Sequence, residues 1–106
     1  MKFKNNAEKM EFVRKKVGTS ELYAQLAEES TELAQACLKV RRTLSTNNPT
    51  PVTQEDAMFN FFEELSDVIL VAKTLGFDNM IYDKTGYCNV TGSKKLDRWC
   101  HRLQEA

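Results

Sequence analysis

Histidine is nearly absent: His101 stands alone in a chain of 106 residues. Cysteines number three, Cys37, Cys88 and Cys100, with no C-x-x-C spacing. An odd, scattered set argues against a disulfide framework, and one histidine beside it argues against a zinc site. Charge of one sign is lacking too. The 15 basic side chains balance the 15 acidic ones, so no basic field points to nucleic acid as a partner. No apolar run is long enough to span a bilayer, and the opening Met-Lys-Phe-Lys-Asn-Asn has no apolar signal core. These absences set the expectation of a cytoplasmic protein that binds neither nucleic acid nor membrane. Only two prolines and four glycines are present, and all read as lying outside the long periodic segments. That pattern favours an all-α fold.

What is present is helical periodicity. From Leu22 to Leu44, the residues Leu22, Leu26, Leu33, Ala36, Cys37, Val40 and Leu44 form one stripe if each residue turns about 100°. Cys37 reads as a small core residue of that stripe. Glu29 projects into the same stripe, within about 20° of Leu22, and Glu32 flanks it one turn on. An isolated carboxylate in an apolar seam must be neutralised, paired or bound to a metal.

Taken in order, residues 6–17 read as a short amphipathic helix with Met10, Val13 and Val17 on its apolar face. The run Arg14, Lys15, Lys16 reads as a solvated face. Gly18 closes this helix, and Thr19 or Ser20 is expected to cap the second. Residues 45–51 form a polar connector with two prolines. Thr53, with Asp56 three residues on, begins a third helix that runs to about Leu75, with Gly76 just past its end. Met58, Phe62, Leu65, Ile69 and Ala72 make one apolar face of this helix, and Phe59, Phe61, Val68, Leu70, Val71 and Leu75 cover most of the rest. A helix apolar nearly all round must be buried nearly all round. In so short a chain a second copy must supply part of the cover, so an obligate homo-oligomer is expected. Beyond Gly76, Asp78 can cap a short helix, Val90-Thr91-Gly92 reads as a turn, and Ser93 as the cap of a last helix to about Gln104. Lys95, Arg98 and Arg102 form a basic row on that helix. The expected whole is an antiparallel bundle of four to five helices in a single domain, completed by homo-oligomerisation.

The third helix also carries Glu63, Glu64 and Asp67. Two helices thus each bring a pair of acids at i, i+3 beside apolar residues, and antiparallel packing would let four carboxylates converge. Oxygen-only ligands suit Mg²⁺ or Mn²⁺. Mg²⁺ held by carboxylates completes its shell with waters and substrate phosphates. Glu-Glu-x-x-Glu also occurs on plain solvated helix faces. Glu29 lies in the seam rather than opposite it, and the second acid pair sits on the helix least able to expose it. Both features favour a metal site.

Glu28-Glu29-x-x-Glu32 followed by Glu64-x-x-Asp67 resembles the E-E-x-x-E … E-x-x-D signature of MazG-like all-α nucleoside triphosphate pyrophosphohydrolases. The resemblance covers roughly residues 22–75. It implies a helical core completed as a homodimer or homotetramer, and Mg²⁺-dependent cleavage of a nucleoside triphosphate between its α- and β-phosphates. Glu29, Glu32, Glu64 and Asp67 match the family's metal ligands. Glu28 and Glu63 match positions that are outer ligands or hold the attacking water, and Glu28 or Glu32 would orient or deprotonate that water. Gln25, one turn before Glu29, could reach a base or phosphate, and Lys95 and Arg98 are the candidates for phosphate binding. A dUTP-, dCTP- or phosphoribosyl-ATP-specific relative would keep similar acids. In a non-catalytic helical assembly module the same acids would only pair with lysines across an interface.

Overall fold

The structure is a computed structural model that describes residues 2–44, 47 and 50–106. Most of the connector read at 45–51 lies outside the described residues. Among those described there are helices and no strands: α1 (Asn6–Val17), α2 (Thr19–Leu44), α3 (Gln54–Thr74), α4 (Asp78–Tyr82) and α5 (Tyr87–Glu105). The chain divides into two compact units, residues 1–75 and 76–106. No helix of the described residues is long and apolar enough to cross a membrane.

In the first unit, α1 begins where Asn5 Oδ1 accepts from the backbone N–H of Glu8 at 2.9 Å, a side-chain oxygen satisfying one of the orphan donors of the first turn. Gly18, at φ 91°, ends it. Its N–H donates to Arg14 O and its carbonyl accepts from the N–H of Leu22, both at 3.0 Å. One glycine in a conformation that residues with a Cβ avoid thus closes α1 and opens α2. The expected cap at Thr19 or Ser20 is corrected accordingly: Thr19 is already helical, and the Gly18 backbone does the work at that end. Thr53 does cap α3, with Oγ1 accepting from the N–H of Asp56 at 3.1 Å.

The two long helices run antiparallel. The start of α2 and the end of α3 share an apolar hollow that holds Leu22, Val71 and Thr74. The end of α2 and the start of α3 share a second, with Val40, Met58 and Phe61. The same register sets Ala36 opposite Ala57. Both are almost fully buried, and small side chains there let the backbones approach closely. α1 packs against both helices. Buried apolar residues among those described are few: Leu22, Ala36, Ala57 and Val71. Thr74, buried and polar, satisfies itself by donating from Oγ1 to Leu70 O at 2.8 Å. Cys37 is exposed rather than core. It lies about 100° round α2 from the buried Ala36, so it rims the second hollow instead of filling the seam.

In the second unit, α5 starts six residues before the expected cap. Val90, Thr91 and Gly92 are helical, not a turn, and Ser93 lies inside the helix. Two contacts explain this. The Asn89 side-chain amide donates to Ile81 O at 2.9 Å and to Asp83 O at 2.6 Å, tying the first turn of α5 to the end of α4. Gly86 precedes α5, and a Cβ there would press on the carbonyl oxygens of Asn79 and Met80, the latter at 2.9 Å. Backbone carbonyls cannot swing aside as a flexible side chain can. Gly86→Ala is therefore expected to destabilise this unit by about 1–3 kcal/mol, the usual cost of a forced backbone shift. Urea unfolding followed by circular dichroism measures it, and a change below about 0.5 kcal/mol, ordinary for a surface substitution, would contradict the close approach.

Candidate metal centre

The antiparallel register brings Glu29 of α2 beside Glu64 and Asp67 of α3. One carboxylate oxygen from each lies within 4.8 Å of the others. Glu64 and Asp67 share a helix side because they are three residues apart. Glu29 and Glu64 are half-buried and Asp67 is exposed. Glu29 Oε1 accepts from Gln25 Nε2 at 2.7 Å. Its other oxygen, Oε2, is shielded from solvent and has no hydrogen-bond partner, and Glu64 Oε2 is in the same condition.

That condition is unfavourable for acids alone. At an effective dielectric near 20, two unit charges at this separation repel by about 3 kcal/mol, less where solvent screens them as at Asp67. A shielded carboxylate oxygen with no donor also forfeits its hydration. The ion pairs Lys15–Glu11 and His101–Glu105 lie elsewhere in the chain. A divalent cation would relieve both costs at once, and three carboxylates from two helices are a donor set that hard cations favour. The residues therefore fit the ion that the sequence implied.

The remaining candidates are placed differently. Glu32 is exposed and outside the cluster. It stands about 60° round α2 from Glu29, enough to carry it off the side that faces α3. The expected four-carboxylate set is thereby reduced to Glu29, Glu64 and Asp67. Glu28 and Glu63 are exposed. Gln25 is exposed too, and its Nε2 donates to Glu29 Oε1. The i, i+4 spacing of a Gln before a Glu was the legible signal for that pairing. Lys95 and Arg98 are exposed on α5, in the second unit. His101 lies 3.1 Å from Glu105 on the exposed side of the same helix. The chain matches no protein-family model, no curated protein and no solved structure.

Proposed function

We propose that this chain is a metal-dependent nucleoside triphosphate pyrophosphohydrolase that releases a nucleoside monophosphate and pyrophosphate, as its resemblance to MazG-like enzymes implies. The observation that carries the reading is the pair of shielded, unpartnered oxygens, Glu29 Oε2 and Glu64 Oε2, beside Asp67. Glu29, Glu64 and Asp67 would hold Mg²⁺ or Mn²⁺. Such an ion, when bound, supplies charge neutralisation for a polyphosphate. The protein's own part is to fix three carboxylates on two packed helices, so that little rearrangement is needed when substrate arrives. The resemblance gives the role of accepting a proton from the attacking water to Glu28 or Glu32, both exposed on α2. Attack in line on the α-phosphorus breaks the bond to the bridging oxygen, and pyrophosphate leaves with that oxygen.

We also infer that a second copy covers the outer side of α3. Phe59 and Phe62 are each more than half exposed, and they share one side of the helix by their spacing. Clustered large apolar residues of this kind mark an interaction surface.

Pyrophosphate release from a panel of ribo- and deoxyribonucleoside triphosphates, with Mg²⁺ and with chelator, tests the activity. Release from at least one nucleotide, lost on chelation, is expected. Release from none of them refutes the enzyme and leaves the assembly module.

A further inference from the structure

The hydrogen bond from Gln25 to Glu29 assigns Gln25 a role of its own. Glu29 stands within reach of two other carboxylates, and their repulsion favours turning its side chain out to water. Gln25 Nε2, at 2.7 Å from Glu29 Oε1, opposes that. A carboxylate only accepts, so the carboxamide must present its N–H side to it. One oxygen of Glu29 is thereby held, and the one left over is the shielded Oε2 with no partner. The donor is also neutral. A lysine or arginine at this position could hold Glu29 equally well, but its charge would cancel the negative field that attracts a cation. A carboxamide holds the ligand and leaves the field intact.

We infer that Gln25 is a positioning residue that fixes Glu29 as a one-oxygen ligand within the acidic triad without neutralising it. This rests on the divalent-cation reading of the triad. The first apolar hollow shows which substitution isolates the role. Gln25 lines it together with Met10, Val13, Leu22 and Val71. Methionine at position 25 keeps the length, suits that lining and favours the helix, while removing the donor.

The test is direct titration of the full chain with Mn²⁺, read by electron paramagnetic resonance, for wild type, Gln25→Met, Gln25→Ala and Gln25→Lys. Unfolding in chelator is recorded alongside. Gln25→Met and Gln25→Ala are expected to weaken Mn²⁺ binding by about 10- to 100-fold, the usual cost of losing a group that orients a metal ligand. Gln25→Lys is expected to weaken it further. The chelator midpoint of Gln25→Met should stay at the wild-type value, which a merely structural role would not allow. Affinity within about twofold of wild type in both donor-lacking variants overturns the assignment. Wild-type affinity in Gln25→Lys overturns the argument from neutrality. No Mn²⁺ binding by the wild type brings down the metal centre itself, an outcome distinct from wild-type binding that ignores position 25.

Discussion

Glu64→Gln is expected to make the protein more stable in chelator and nearly inactive in Mg²⁺. The two effects have one cause. Glutamine keeps the length of the side chain and removes the charge. Without a cation, Glu64 sits half-buried beside Glu29 and Asp67, with an oxygen that no donor satisfies. Neutralising it removes two pairwise repulsions of about 3 kcal/mol each before screening, and screening at the exposed side of the cluster reduces the visible gain to about 1 kcal/mol. With Mg²⁺ at about 100 times its dissociation constant, the wild type should gain about 2.7 kcal/mol. The variant, short of one ligand, should gain far less, so the order of the two unfolding midpoints reverses. Turnover should fall by about 10²–10³-fold, equivalent to about 3–4 kcal/mol of lost charge stabilisation in the transition state. Thermal unfolding with and without Mg²⁺, alongside pyrophosphate release, reads both. A variant that is less stable than wild type in chelator and keeps the full Mg²⁺ shift would mean that Glu64 is a structural acid.

The same cluster shows what the sequence could and could not disclose. Glu29, Glu64 and Asp67 were legible because each stands at a helical position also claimed by apolar residues, and periodicity alone exposes that conflict. Glu32 was not separable from them. On a helical wheel it is a neighbour of Glu29, and only the direction from which α3 approaches decides that it points elsewhere. The starts of α1 and α3 were legible for a local reason, because a helix end depends on a few adjacent side chains and one hydrogen bond, as at Thr53. The start of α5 was illegible for the opposite reason. Val90, Thr91 and Gly92 have weak intrinsic helix preference, and what overrides it is non-local: Asn89 reaching back to Ile81 and Asp83, and Gly86 lying on the carbonyls of α4. Cys37 failed as a core residue because the side of α2 that α3 covers lies toward Ala36, on the other edge of the stripe, and periodicity does not fix that direction.

Replacing both Phe59 and Phe62 by serine is expected to dissociate the assembly and, with it, to lower the helix content. The apolar circumference of α3 finds cover along the side that faces α2, where Ala57 and Val71 are buried. On the outer side the two phenylalanines are 62% and 54% exposed. Fully burying a phenylalanine is worth about 1.5–3 kcal/mol. Covering only the exposed part of each ring, two per copy would contribute about 3.5–7 kcal/mol to a dimer, which corresponds to roughly 10²- to 10⁵-fold in its dissociation constant. Serine rather than a charged residue is the informative choice, because it leaves the field around Glu29, Glu64 and Asp67 unaltered. Loss of activity in the double variant would then report loss of the partner. Sedimentation at micromolar concentration is the measurement. The wild type should run well above the 12.2 kDa of one chain, and the variant close to it. A wild type that already sediments as a monomer would leave α3 with an uncovered apolar side, and its stability would have to come from the first unit alone. That is hard to reconcile with so few buried apolar residues, since a chain this short buries barely enough surface to offset its conformational entropy.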